Sequence, residues 1–224
     1  MSNLVSILAA LCASAAALAR VPRWRTAESR PFTLGLVFLA VWALLWAPAI
    51  TDAATALTLP SGHFEALPGL AADLSLVAAG GLIGVAMADA WGRPRLEKSF
   101  YVGMIVVAAA LLLTYDPLHP SDGIVEAHKW ILAVAGLLGN LAVLAPVTLG
   151  YRAVPAPFRL PLGLFIFGGA AGVVLAVARI VTLLRPDGWQ LESWAPILAT
   201  PVFGFALGSL VASARTEPVP ADDI

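Results

Sequence analysis

The chain has 224 residues, of which 60% are apolar and 12% are charged, and its formal net charge is -1. A typical soluble domain has about 45–50% apolar and about 25% charged residues, so the surplus apolar surface here must face lipid. The near-neutral charge gives no field that would attract nucleic acid. The single cysteine, Cys12, excludes a disulfide framework within the chain and a cysteine-based zinc or iron–sulfur site. The composition therefore predicts a membrane protein that crosses the bilayer several times.

Seven stretches are long and apolar enough, or nearly so, to be transmembrane helices, which need about 20 residues each. They predict an all-α bundle of seven spans in a membrane domain over 1–215, followed by a disordered tail at 216–224. The fourth stretch is the shortest and reaches a spanning length only if residues 96–99 extend it. The predicted spans are 3–19, 31–50, 70–90, 100–115, 129–150, 161–184 and 194–213.

The loop arginines and lysines predict how the bundle is oriented. Positive residues concentrate in cytoplasmic loops, and ten cations fall in loops on one side of the predicted spans. They are Arg20, Arg23, Arg25, Arg30, Arg93, Arg95, Lys98, Arg152, Arg159 and Arg215. We therefore predict that the N-terminus is outside and the C-terminus is cytoplasmic.

Three polar residues within the predicted spans are candidates for a binding site. Asn140 lies near the middle of the fifth span, where its amide must find partners; it either contacts a bound solute or bonds a neighbouring helix. Asp73 and Arg179 lie at similar depths below the outer surface, in the third and sixth spans. Ionisable residues at such positions are functional candidates. One hypothesis is that Asp73 and Arg179 pair, directly or through water, and the alternative is that Arg179 extends to the lipid headgroups.

Two tryptophans, Trp42 and Trp46, share one face of the second span near its outer end. Aromatic residues are enriched at both membrane interfaces, where they anchor helices. The pair therefore either anchors the second span or lines a cavity that opens outwards. Both residues are included among the candidate binding residues.

The chain lacks the motifs of the common membrane enzymes and cofactor proteins. The last span has no lysine for a retinal Schiff base, and no pair of histidines faces another across the membrane core to hold a haem. We find no Walker sequence, no HExxH and no Ser/His/Asp set. His119, Asp122, Glu126 and His128 cluster near one outer loop and form either a weak divalent-metal site or a solvated acidic loop. We predict no catalytic residue, no metal and no cofactor, and the chain is not expected to be an enzyme.

Glycines spaced by four recur at Gly80/Gly84, Gly168/Gly172 and Gly204/Gly208. Small residues at this spacing let two helix backbones approach closely. The pairs indicate either ordinary tight packing or helix contacts that move.

Two sequence segments resemble a family of actinobacterial seven-helix membrane proteins known as putative transporters. The first is the arginine-rich turn followed by Phe32–Ile50 and an acidic outer loop. The second runs from Phe158 through Pro161, Gly168 and Gly172 to Arg179. The resemblance covers the membrane half of that family and implies a seven-helix bundle in a bacterial cytoplasmic membrane.

The sequence therefore predicts a transporter-like bundle for an unidentified small solute. The alternative is a membrane sensor or accessory subunit, because the layout also resembles seven-span sensor modules that precede bacterial kinases. The expected partners are the lipid bilayer and, for the alternative, a protein in the membrane or the cytoplasm. No nucleic acid is expected, and the sequence sets no oligomeric state.

Overall fold

The structure is a computed structural model that describes residues 2–24, 26, 29–57, 67–115, 126–185 and 195–215. This part of the chain is built from eight α-helices and two short 3₁₀ turns. The helices are α1 (Ser2–Arg20), α2 (Ser29–Leu45), α3 (Pro48–Leu57), α4 (Leu67–Ala90), α5 (Pro94–Leu113), α6 (Glu126–Gly150), α7 (Ala156–Leu184) and α8 (Ala195–Arg215). The predicted all-α fold class is confirmed. The tail at 216–224, together with His119 and Asp122 of the predicted outer cluster, lies outside the described residues.

Five of the described helical segments are long and apolar enough to cross a membrane. They are Asn3–Arg23, Leu67–Ala90, Pro94–Leu113, Glu126–Ala153 and Ala156–Leu184. Helix α2 is apolar but has 17 residues, and α8 has 21 residues and lies outside this group. The chain is therefore a multi-pass membrane protein, and the count of seven spans stays a prediction.

The predicted second span, 31–50, is not one continuous helix. Helix α2 ends at Leu45, and α3 begins at Pro48 after a short turn. The Ala47 N–H bonds the Leu44 carbonyl at 2.9 Å, an i→i+3 bond that tightens this turn. Pro48 lacks an N–H and disfavours helical backbone at the residue before it, so it ends one helix and starts the next.

The predicted fourth span, 100–115, gains length at its beginning. Helix α5 starts at Pro94, where a missing N–H costs little, and it runs for 20 residues to Leu113. The preceding helix, α4, ends at Ala90, and two residues later Gly92 has a φ of 63°, a left-handed conformation that glycine adopts freely. The Arg93 N–H bonds the Ala88 carbonyl at 2.9 Å, which completes a Schellman cap. This sharp turn lets α5 pack back against α4.

The helices pack in a ring in which α1 contacts α2 and α8, α2 contacts α4, and α7 contacts α6 and α8. Helix α5 packs on α4 and α6, which also contact each other and close the ring. The core beside α1 is made of small side chains: Ala9, Ala13 and Ala16 are fully buried. Small residues suit a helix interface in lipid because they let the backbones approach closely.

One end of the bundle, called here the arginine end, carries the loop cations. The Arg20 guanidinium donates to Ser29 Oγ at 3.3 Å, and Arg23 donates to the Ser213 carbonyl at 3.4 Å. Arg215 donates to the Pro157 carbonyl. The first bond joins the end of α1 to the start of α2. The second joins the turn after α1 to the end of α8, and the third joins the end of α8 to the start of α7. Gly35 near the start of α2 lies against Ile83 near the end of α4, and Gly150 at the end of α6 lies against Trp91. The predicted cytoplasmic cations among the described residues are therefore all at this end, and Arg25 lies outside the described residues.

Candidate functional site

A cavity of about 420 Å³ lies between the helices and is partly open to the surface of the bundle, where Gly80 and Gly103 are exposed. Residues of α4, α5, α6 and α7 form most of its wall, and α2 and α8 complete it. Its volume falls in the range of about 300–1,000 Å³ that is usual for small-molecule sites. Among the described residues, Trp42, Asn140 and Arg179 line it. Three of the five residues proposed from the sequence therefore border one space.

Glycines create this cavity by leaving a gap between helices. Gly80 on α4, Gly103 on α5 and Gly139 on α6 all line the cavity. A Cβ atom built on any of them would meet no other atom within 4 Å. Here the absent side chains leave open space instead of bringing two backbones into contact.

The cavity is elongated and largely apolar. Its wall on α5 runs from Leu96 to Val107, which corresponds to about 16 Å along a helix axis. Apolar side chains such as Phe100, Met104 and Phe205 make up most of the lining. The cavity thus extends from the first turn of α5, near the arginine end, towards the opposite end of the bundle.

Arg179 lies at the opposite end of the cavity from Leu96, five residues before α7 ends at Leu184. Its guanidinium carbon is 5.9 Å from the centre of the Trp46 ring, which is a cation–π distance. In the part of the chain that the structure describes, no carboxylate oxygen lies within 4.0 Å of its nitrogens, so no direct ion pair neutralises it. A charged side chain within a membrane span is costly and is usually retained for function.

Trp42 and Trp46 join Arg179 in what we call the tryptophan–arginine cluster. The two indole rings are 6.1 Å apart between centroids. Trp42 is 4% exposed, and its Nε1–H has no hydrogen-bond acceptor among the described residues. A buried donor without an acceptor costs about 1–3 kcal/mol. The sequence left two alternatives for this pair, anchoring of the helix or lining of a cavity. Trp42 lines the cavity, whereas Trp46 contacts the Trp42 ring and the Arg179 guanidinium.

Asn140 borders the cavity from the middle of α6. Its Nδ2 donates to the Gly136 carbonyl of the same helix at 2.7 Å. Its amide packs so closely against α7 that a methyl group on Gly172 would overlap it. Asn140 therefore packs against α7 without a described hydrogen bond to it. The hydrogen bond that the structure describes for its side chain is made to its own helix, α6.

Asp73 is 9% exposed and lies beside His128, which is 1% exposed. The His128 Nε2 is 3.3 Å from the Asp73 carboxylate, and its Nδ1 is 3.2 Å from Thr114 Oγ1. Thr114 also contacts the Ala110 carbonyl at 2.8 Å. The three side chains tie together α4, α6 and the end of α5.

The predicted pairing of Asp73 with Arg179 is not a direct ion pair in the structure. Among the described residues, the ion-pair partner of Asp73 within 4.0 Å is His128. Arg179 still interacts electrostatically with Asp73 at longer range. Sequence reasoning assigned His128 to an outer-loop cluster and did not connect it to Asp73. Depth below the outer end of each helix could have connected the two residues. Asp73 is the seventh residue of α4 and His128 is the third residue of α6, so both lie within two turns of the same end of the bundle.

The alternative of a metal at the outer cluster finds no support in the described part of the chain. No group of three or more potential metal ligands occurs there. Both nitrogens of His128 face Asp73 and Thr114 instead.

Comparisons with known proteins identify no relative. No protein-family model matches the chain, and no curated protein or solved structure is detectably similar to it. The resemblance to the actinobacterial family stays a prediction. Any function must be inferred from the cavity and the side chains around it.

Proposed function

We propose that this chain is a seven-span protein of a bacterial cytoplasmic membrane that carries a small solute through the cavity between its helices. The observation that supports this proposal most is the cavity itself, which extends from near the arginine end to Arg179. A cleft or cavity with a largely apolar lining and few polar groups at fixed positions is the usual form of a solute site. Ionisable residues inside a membrane bundle commonly mark the path of a solute or an ion.

The proposed topology adds α2 and α8 to the five segments that are long and apolar enough to span. Helix α2 has 17 residues, which is at the short limit of a span, and α8 has 21. The positive-inside rule then makes the arginine end cytoplasmic. With seven spans, the N-terminus is outside.

Single-cysteine labelling tests this topology. We would first replace Cys12 with serine and then introduce cysteine at Ser99, near the arginine end, or at Ser61, in the predicted outer loop. A membrane-impermeant maleimide added to intact cells should label the Ser61→Cys protein and leave Ser99→Cys unlabelled until the cells are opened. Labelling of Ser99→Cys from outside, with Ser61→Cys protected, would reverse the orientation.

Flux measurements on purified protein in liposomes test the transport function. A panel of radiolabelled sugars, amino acids and organic acids should include at least one solute that enters faster than in empty liposomes. Gly103→Phe places a ring in the cavity, where the glycine has open space, and should reduce that flux at least about tenfold.

Val102→Phe is the matched control, because Val102 neighbours Gly103 on α5 and is 60% exposed. This variant should transport at the wild-type rate. Folded protein that moves no solute of the panel would contradict the transport proposal. Equal loss of flux in both variants would show that the cavity is not the path.

A further inference from the structure

The charges at the cavity indicate what kind of ligand it takes. Arg179 is the one charged residue among the described residues that line the space. The closest described carboxylate with which it interacts, that of Asp73, is already held by His128 at 3.3 Å. The Arg179 guanidinium therefore has donors that a bound anion can occupy, since an arginine presents five N–H groups in a planar fork.

A second donor lies in the same cluster. The Trp42 ring lines the cavity, and its buried Nε1–H has no acceptor among the described residues. Trp46 connects it to Arg179, with ring contacts on both sides. A ligand group with two acceptor oxygens, such as a carboxylate, matches a guanidinium fork with a further donor nearby.

The remaining wall favours a ligand with its charge at one end. From Arg179 towards Leu96, the lining offers apolar side chains and the glycine gap at Gly80, Gly103 and Gly139. Among the described lining residues, no second charged side chain is present to hold a second charged group of a ligand. An elongated apolar wall instead stabilises a hydrocarbon chain, because its affinity grows with the apolar area removed from water.

We propose that the cavity binds a single-chain apolar carboxylate, with its head at Arg179 and its chain along the glycine gap. This inference names the substrate class of the proposed transport site and rests on it for its biological meaning. The same head-and-chain chemistry also occurs in anionic phospholipids, which have two chains. The experiment therefore compares the two sources directly.

Equilibrium binding of radiolabelled dodecanoate to the full chain in phosphatidylcholine nanodiscs tests the proposal, with empty nanodiscs as background. Binding should be saturable, and dodecanol should compete at least about tenfold less well, because it lacks the charge that Arg179 binds. In the series from octanoate to dodecanoate, each added methylene should raise affinity about fourfold. Equal competition by dodecanol would overturn the assignment.

Variants at the two ends of α7 separate the head-group contact from bulk charge. Arg179→Gln should lower dodecanoate affinity about tenfold or more, and Arg179→Lys should retain more of it than glutamine does. Arg185→Gln removes the same charge from an exposed site just beyond α7 and should bind as the wild type does. Equal affinity in the Arg179→Gln and Arg185→Gln proteins would overturn the proposal.

Gly103→Phe keeps the test valid even if the Arg179 variants fail to fold, because it leaves the head group untouched. It should lower dodecanoate affinity more than octanoate affinity, since the ring shortens the space for the chain. If Gly103→Phe left the affinities for dodecanoate and octanoate unchanged, both ligands would bind outside the cavity, and the proposal would be overturned. Displacement of dodecanoate by phosphatidylglycerol at lower concentrations than by decanoate would assign the site to membrane lipid and also overturn the proposal.

Failure of this inference can be told apart from failure of the transport proposal. Saturable dodecanoate binding without flux of any solute would reject transport and leave the ligand class standing. Flux of another solute that dodecanoate does not inhibit would reject the ligand class and leave transport standing.

Discussion

Replacing His128 with leucine is expected to destabilise the bundle by about 3 kcal/mol. His128 is 1% exposed, and its Nε2 is the described partner of the buried Asp73 carboxylate. Breaking a buried pair by removing one member leaves an uncompensated charge and typically costs about 3–5 kcal/mol. The free energy of unfolding can be measured by denaturant titration of the purified protein in mixed micelles.

The double variant Asp73→Leu/His128→Leu provides the control. Replacing both members by apolar residues is often neutral or stabilising, because no buried charge is left without a partner. The double variant should therefore recover most of the stability that the single variant loses. A double variant as unstable as His128→Leu would show that the loss comes from packing of the imidazole and not from the unpaired buried charge of Asp73.

Replacing Gly204 with alanine is expected to destabilise the contact between α7 and α8 by about 1–3 kcal/mol, which is typical of overpacking. A Cβ on Gly204 would lie 2.5 Å from the Gly168 Cα and 2.9 Å from the Leu164 carbonyl oxygen. Both are backbone atoms, so no side chain can move aside. The two helices must separate, and the unfolding free energy should fall accordingly.

Gly103→Ala is the matched comparison, since a Cβ there meets nothing within 4 Å. Alanine has a higher helix propensity than glycine by about 1 kcal/mol, so this variant should be as stable as the wild type or more so. Similar losses in Gly204→Ala and Gly103→Ala would mean that the close approach of α7 and α8 does not limit stability.

The repeated glycine pairs show why spacing in the sequence alone could not assign their roles. Gly204 and Gly168 face each other across α7 and α8, and Gly172 accommodates Asn140. Gly80, which has the same i and i+4 spacing to Gly84, instead faces open space. Spacing indicates which residues share a helix face, whereas the neighbouring helix determines whether that face is a contact or a gap.

The partner of Asp73 also depends on how neighbouring helices face each other. Its depth in the sequence matched that of Arg179, and the structure does bring the two into electrostatic range. Depth along a span does not give the rotation of the helix, so it could not identify which neighbour would reach the carboxylate first. His128 does so from α6, because α4 and α6 are in direct contact.

The sequence by itself determined that the chain is helical and lies in a membrane, because 60% apolar residues cannot be hidden in a protein of this size. It also determined which loops carry the cations, since that follows from span order alone. The tertiary structure decided that α2 ends before Pro48, that Trp42, Asn140 and Arg179 share a cavity, and that Asp73 binds His128. Those features depend on which helix faces meet, and in an almost uniformly apolar chain the hydrophobic pattern does not encode the order of neighbouring helices.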